Sequence, residues 1–465
     1  MAVMRASRST GKAAAVTAVA LLLIVCRPAL TVAEPTGVNS VPPPVDRSLL
    51  PAVAEPKADL PYTKGDKPCK GSSTDGKVLA PKPFAQLVLR LEEAHRFATG
   101  KGVKIAIIDT GVEEHSRLDG RVEAGGDYVV SAEKGLVDCD GHGTEVAGVA
   151  AASRDDKTGF VGAAPEATIL AIRQTSDYYE IKNPGPDGRK VPGDVGTLAQ
   201  SIVRSVDLGA NVINISLTLC APPREPSKGE RQLQAAIDWA VNVKDVVIVT
   251  AAGNRGTAGK GCTQQNDNEN EENVKVVASP PWYRDDVLSV ASVNRHGEPS
   301  AFSVWGPWVS IAAPGEEITT IDPQGEGLTN AAVADDETVT GIQGTSYAAP
   351  YVAGIAALVR ERHPHLSARQ VMTRLTSTAR HPGNPDGRDR KVGAGLVNPI
   401  AALTAELPFE RPGAKQPELP PLTTRLDPVA VEDGTPKAVA LYGSGLGVVL
   451  LLLTLFVVRT TKRTR

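Results

Sequence analysis

Residues 103–111 read Val-Lys-Ile-Ala-Ile-Ile-Asp-Thr-Gly, an apolar run that ends in a carboxylate and a glycine. An apolar run of this length is typical of a strand buried on both faces of a parallel sheet. Strand-like segments recur downstream and alternate with segments whose apolar residues have helical spacing. The strand-like segments are 167–172, 212–216 and 246–250, and the helix-like segments are 84–98, 197–208, 231–243, 346–362 and 367–378. This alternation predicts an α/β fold with a central, mostly parallel sheet that helices cover on both faces.

The N-terminus has the three parts of a secretory signal peptide, which we predict at 1–33. Arg5, Arg8 and Lys12 precede an apolar run over 13–26, and small residues follow at 31–33. An uncleaved anchor helix is the alternative, although about 14 apolar residues are few for a membrane span. We therefore expect most of the chain to be exported.

The C-terminus has the properties of a membrane anchor. Residues 438–458 carry no charge and are rich in Leu and Val. The run is long enough to cross a bilayer as one transmembrane helix. The basic tail 459–465 follows at once, and positive charge predicts that this end is cytoplasmic. We expect a single-pass protein of the cell membrane whose remaining mass lies on the extracytoplasmic (periplasmic) side.

Proline-rich segments separate the folded part from both ends. Residues 34–82 have no sustained period and are expected to form an N-terminal extension that wraps the core. Residues 406–437 are expected to form an extended linker, which leaves 83–405 as the folded domain. The formal net charge of −3, with both signs mixed along the chain, argues against nucleic acid as a partner.

The cysteines fit an oxidising compartment. Cys26 would leave with the signal peptide, and four cysteines remain for two disulfides with three connectivities: Cys69, Cys139, Cys220 and Cys262. The simplest connectivity joins neighbours in order, 69 with 139 and 220 with 262. A zinc site is the rival interpretation, but these cysteines form no C-x-x-C pair. We expect no metal and no cofactor, and we interpret the polar run 264–273 as a solvated loop rather than a calcium site.

Three short motifs together suggest nucleophilic catalysis. The motif Asp-Thr-Gly at 109–111 ends the first strand, His-Gly-Thr at 142–144 begins a helix, and Gly-Thr-Ser at 344–346 begins another. A serine hydroxyl needs a base to remove its proton, and an imidazole held by a buried carboxylate can serve. An aspartic protease would need two such carboxylates, but the sequence has a single Asp-Thr-Gly. We therefore predict Asp109, His142 and Ser346 as a catalytic triad.

The order Asp, His, Ser is that of subtilisin and differs from those of trypsin-like enzymes and α/β-hydrolases. The blocks that carry it resemble the four signature blocks of the subtilisin family: 105–112, 141–148, 251–256 and 344–354. A sedolisin-like acid protease would also place Ser after Gly-Thr, but would use carboxylates in place of His142. The resemblance covers about residues 84–402 and implies a subtilisin-like serine endopeptidase that forms an acyl-enzyme on Ser346.

The same resemblance implies how substrate would be held. Asn254 corresponds to the side-chain donor of the oxyanion hole, and the backbone N–H of Ser346 would be the second donor. The substrate-binding residues are expected on two segments: Ser216, Leu217 and Thr218, and Ala251, Ala252 and Gly253. The family usually has Gly where Thr218 stands. A β-branched side chain there predicts a preference for small residues before the scissile bond.

A narrower resemblance is to the mycosins, the subtilisin-like proteases of mycobacterial type VII (ESX) secretion systems. It is carried by the combination of signal peptide, peptidase domain, proline-rich linker and C-terminal membrane helix. It implies that the substrates are proteins exported by such a system and that the partner is its membrane complex. A mainly structural role in stabilising that complex is the alternative that the resemblance also implies.

Overall fold

The computed structural model describes residues 41–70, 79, 81–181, 191–256, 262–267, 274–333, 338–411, 454 and 459. None of the helices in these ranges is long and apolar enough to span a bilayer. The predicted signal peptide 1–33 lies outside the described residues. So do the predicted membrane helix 438–458, except Thr454, and the basic tail 459–465, except Arg459.

The described α-helices are α1 Phe84–Leu89, α2 Leu91–Ala94, α3 His142–Ala151, α4 Val195–Asp207, α5 Lys228–Asn242, α6 Thr345–Arg362, α7 Ala368–Ser377 and α8 Pro399–Thr404. Short 3-10 helices lie at Arg47–Leu49, Ser116–Leu118, Ser131–Glu133 and Pro408–Glu410. The strands are β1 Tyr62–Lys64, β2 Lys104–Asp109, β3 Val122–Asp127, β4 Thr168–Arg173, β5 Tyr179–Ile181, β6 Val212–Ile215, β7 Leu219–Ala221, β8 Val247–Ala251, β9 Val277–Ser279, β10 Leu288–Val293, β11 Ile311–Pro314, β12 Thr320–Ile321, β13 Leu328–Thr329, β14 Ala331–Val333 and β15 Val339–Gly341.

A seven-stranded sheet in the order β11-β10-β8-β6-β2-β4-β3 forms the centre of the domain. Every neighbouring pair in it is parallel. Successive residues of β6, β8 and β10 are all buried, although their side chains point to opposite faces. The sheet is therefore covered on both sides, and the predicted α/β fold is confirmed.

The helix predicted over 84–98 is wrong in extent. It breaks at Arg90, whose backbone is left-handed with a φ of 54°, and the second piece ends at Ala94. Leu89 and Leu91 are both fully buried, but positions two apart point to opposite sides of a continuous helix. The break turns both leucines into the core and leaves Leu87 exposed.

The described part of the N-terminal extension lies against the domain at several points. Arg47 forms an ion pair with Asp238 of α5. Farther along, β1 of the extension pairs in antiparallel fashion with β5. At the end of this stretch, the backbone N–H of Lys70 donates to the carbonyl of Cys139 at 2.9 Å. These contacts lead the extension from a helix of the outer layer to the loop in front of α3.

Candidate active site

The carboxyl ends of parallel strands meet at one edge of the sheet, and the predicted site residues gather there. Asp109 is the last residue of β2, Ser216 follows β6, and Ala252 follows β8. His142 begins α3, which packs closely on the end of β2. A Cβ placed on Gly143 would lie only 2.0 Å from the carbonyl oxygen of Gly111, so the absence of a side chain at Gly143 allows this approach.

Asp109 and His142 form a close pair. Asp109 is fully buried, and its Oδ1 accepts a hydrogen bond from His142 Nδ1 at 2.6 Å. The same oxygen accepts from the backbone N–H of Thr110 at 2.8 Å. Burial alone would lower the pKa of His142, but its attraction to Asp109 and the hydrogen bond between them outweigh burial and raise the pKa to about 9. The pair thus fixes a proton on Nδ1 and favours the imidazolium.

Sequence analysis missed Asp138, a buried carboxylate beside this pair. Its Oδ1 accepts from Thr110 Oγ1 and the Gly141 N–H, and its Oδ2 accepts from the N–H and hydroxyl of Thr144, at 2.7–2.9 Å. Burial raises the pKa of Asp138 to about 7, although the bonds from Thr144 and Thr110 act in the opposite direction. Asp138 therefore ties the segment after Asp109 to the start of α3. The signal in the sequence that could have identified Asp138 is a short acidic side chain just before a predicted helix.

Asn254 and Ser346 border the same small space. Thr345 fixes the amide of Asn254, because its backbone N–H and its hydroxyl both donate to Asn254 Oδ1, at 2.9 and 3.0 Å. The Nδ2 group must then face the other way. A Cβ placed on Gly344 would lie 3.3 Å from that Nδ2 and 2.9 Å from Ser346 Oγ. Glycine at 344 therefore leaves room for an atom between an amide donor and the serine hydroxyl.

Pro350 explains the position of Ser216. Because Pro350 has no N–H, it cannot donate to the carbonyl of Ser346 four residues earlier in α6. The buried hydroxyl of Ser216 donates to that carbonyl instead, at 2.8 Å. The carbonyl of Ser346 thus remains available as an acceptor that links Ser216 to the helix carrying Ser346.

The remaining predicted substrate-binding residues lie side by side. Leu217 and Thr218 are half-buried, and the hydroxyl of Thr218 donates to the carbonyl of Ala251 at 3.0 Å. Ala252 is buried, and Gly253 has a φ of 105°. A Cβ placed on Gly253 would lie 3.1 Å from Thr218 Cγ2, so the two predicted segments form neighbouring walls.

Both cysteine pairs of the simplest connectivity are bonded. Cys69 is linked to Cys139, three residues before His142, and Cys220 is linked to Cys262. The N–H of Cys262 donates to the carbonyl of Asn254 at 2.8 Å. One end of each disulfide thus lies beside a block of the site.

Comparison with known proteins agrees with this arrangement. The sequence model of the subtilase (peptidase S8) family matches residues 100–395. Mycosin-1 of Mycobacterium tuberculosis is 40% identical over 448 residues, which is 92% of this chain and 96% of that protein. The chain belongs to the subtilases, and within them to the mycosins.

Two solved structures share the fold. The crystal structure of MycP1 from the ESX-1 type VII secretion system superposes with a TM-score of 0.73 at 39% identity, covering 83% of this chain and 99% of that one. A chain of the intact ESX-5 inner membrane complex gives a TM-score of 0.73 at 35% identity, covering 90% of this chain and 99% of that one. As a mycosin, the protein is a subtilisin-like serine protease.

Proposed function

We propose that Ser346 is the nucleophile, His142 its general base and Asp109 the group that orients His142. His142 would remove the hydroxyl proton as Ser346 attacks the scissile carbonyl, and would return it to the leaving amine. The support is the bond of 2.6 Å between His142 Nδ1 and Asp109, which directs Nε2 away from the buried carboxylate. Ser346 is the second residue of α6, where the positive end of the helix dipole favours an oxyanion.

Asn254 and the backbone N–H of Ser346 would stabilise the tetrahedral intermediate. Donors of this kind act where negative charge develops on the former carbonyl oxygen. The support is the orientation of the Asn254 amide, whose oxygen is held by Thr345 so that Nδ2 borders the space beside Ser346 Oγ. Because that orientation is already set, no reorganisation is needed during the reaction.

The substrate would lie as an extended strand along Ser216, Leu217 and Thr218. The side chain just before the scissile bond would lie between Thr218 and Gly253. The Cγ2 atom of Thr218 reduces the width of this space, which favours small side chains before the scissile bond. A panel of peptides that differ only at that position tests this specificity. Faster cleavage after Phe than after Ala would contradict it.

In the cell, the protein would process proteins exported by a type VII secretion system, held at the membrane by 438–458 with its catalytic domain on the periplasmic side. The mycosin relatives support this, since one solved relative belongs to an ESX-5 inner membrane complex. The same observation favours a second candidate function, a structural role in stabilising the membrane complex of that system. The two functions are compatible.

A serine-directed fluorophosphonate probe tests the chemistry. We expect the wild-type protein to be labelled and the Ser346→Ala variant to be inert, with loss of cleavage of exported substrate. Secretion then separates the two cellular roles. If the protein is mainly a scaffold, Ser346→Ala leaves secretion intact whereas deletion of the protein abolishes it. Labelling that persists in Ser346→Ala would overturn the assignment of the nucleophile.

A further inference from the structure

The disulfide between Cys69 and Cys139 brings a cation of the N-terminal extension to the helix that begins with His142. Lys70 follows Cys69, and its N–H donates to the Cys139 carbonyl at 2.9 Å. Its Nζ lies 3.1 Å from Glu145 Oε1 on α3. The Glu145 side chain is 2% exposed, whereas that of Lys70 is 20% exposed. The extension thus supplies the partner of a carboxylate buried inside the peptidase domain.

Glu145 connects Lys70, through Tyr347, to both Ser346 and His142. Its second oxygen, Oε2, accepts the hydroxyl of Tyr347 at 2.5 Å. Tyr347 follows Ser346, and the edge of its ring packs on the ring of His142 with the centroids 5.3 Å apart. The Tyr347 ring is therefore held in place against His142 by a carboxylate whose charge Lys70 balances. None of these three groups has a role in the triad mechanism above.

The charges of Lys70 and Glu145 also act on His142. The charged groups that face the imidazole are Asp109 from β2, Glu145 from α3, Lys70 from the extension and Asp140 from the loop before α3. Glu145 stabilises the imidazolium and Lys70 opposes it. Without Lys70, the buried Glu145 would stabilise the imidazolium unopposed and would make His142 a poorer base near neutral pH.

We propose that Lys70 is a positioning residue for proteolysis, which the disulfide between Cys69 and Cys139 keeps beside Glu145. The N-terminal extension accordingly contributes a side chain that supports the active site. The proposal rests on the function of His142 and Ser346 given above. It assigns Lys70 two effects, to hold Tyr347 against the base through Glu145 and to oppose the attraction of Glu145 for the protonated base.

The test measures the rate of fluorophosphonate labelling against pH for the full-length, oxidised protein. The rate rises with pH as His142 loses its proton, so the midpoint of the rise reports the pKa of His142. In Lys70→Met the midpoint should rise by about one pH unit, a typical effect of one nearby charge in a buried site, and labelling at neutral pH should fall about tenfold. Glu145→Gln should lower the midpoint. The double variant should return it close to that of wild type, and Lys70→Arg should preserve it.

Lys82→Met is the matched control, because Lys82 also belongs to the extension but pairs with the exposed Glu92. This variant should keep the wild-type midpoint. A Lys70→Met variant that labels more slowly at every pH with an unchanged midpoint has lost only structural support, which would refute the proposal. If Lys70→Met does not fold, Glu145→Gln decides in its place, since an unmoved midpoint there is equally contradictory. Wild-type protein that is not labelled at all would instead refute the proposed function.

Discussion

Asp109→Asn separates the charge of the buried aspartate from its geometry. His142 Nδ1 and the Thr110 N–H both donate to the same atom, Asp109 Oδ1, while Oδ2 accepts no hydrogen bond from the described residues. An asparagine can therefore place its amide oxygen where Oδ1 is and its amino group where Oδ2 is. The imidazole would keep its proton on Nδ1, and only the negative charge would be lost.

The size of the effect follows from the pKa of His142. A rise from 6.5 to about 9 corresponds to about 3 kcal/mol of stabilisation of the imidazolium. Loss of that stabilisation in the transition state should lower the plateau value of kcat about a hundredfold. The pH at which activity is half-maximal should at the same time fall below 6.5, because burial, which lowers the pKa, is then less opposed.

The assay is hydrolysis of a peptide substrate as a function of pH, with Ser346→Ala as the inactive reference. Two results would refute the reasoning. A midpoint that stays near 9 would show that Asp109 does not set the pKa of the base. A loss of about 10⁴-fold, as occurs where asparagine imposes the wrong imidazole tautomer, would show that one oxygen cannot serve both donors.

Three further predictions concern the surroundings of the pair. Asn254→Ala should lower kcat by about 100–1,000-fold with little change in KM, the known effect of losing an oxyanion donor in subtilisin; a change in KM alone would contradict this. Asp138→Ala should leave the buried backbone N–H of Thr144 without an acceptor, at a cost of about 1–3 kcal/mol, which urea unfolding would detect as a lower free energy of unfolding. Because the pKa of His142 is raised on folding, its stabilisation is fully present below pH 6.5 and is lost as the pH rises through about 9. Unfolding of Ser346→Ala should show this decline, and addition of Asp109→Asn should remove it.

Four strands of the central sheet, β2, β4, β6 and β8, could be predicted from the sequence because they are apolar on both faces. The segments expected at 167–172, 212–216 and 246–250 match the strands 168–173, 212–215 and 247–251 within one residue. The helix over 84–98 failed for a tertiary reason. Its local spacing allows a continuous helix, and only the demand to bury Leu89 and Leu91 together breaks it.

In the site, too, local sequence predicts some features and tertiary structure sets the others. Asp109, His142 and Ser346 could be located because their motifs are short, specific and in a characteristic order. The contact between Lys70 and Glu145 could not be predicted, because 75 positions separate these residues and no local pattern in the sequence indicates that they meet. The use of Ser216 as a donor to the Ser346 carbonyl depends likewise on a distant proline. Such links are set by how the loops cross at the strand ends, and periodicity does not encode that.

The two disulfides are placed where the site has least support from regular structure. Asp109 ends a buried strand and Ser346 begins a buried helix of 18 residues, so both are fixed by the core. The described residues of the loop before His142 and of the loop that includes Asn254 lie outside the helices and the central sheet. Cys139 closes the first loop onto the extension, and Cys262, whose N–H donates to Asn254, closes the second onto Cys220. Covalent bonds therefore supply, at the base and at the oxyanion donor, the rigidity that packing supplies at the nucleophile.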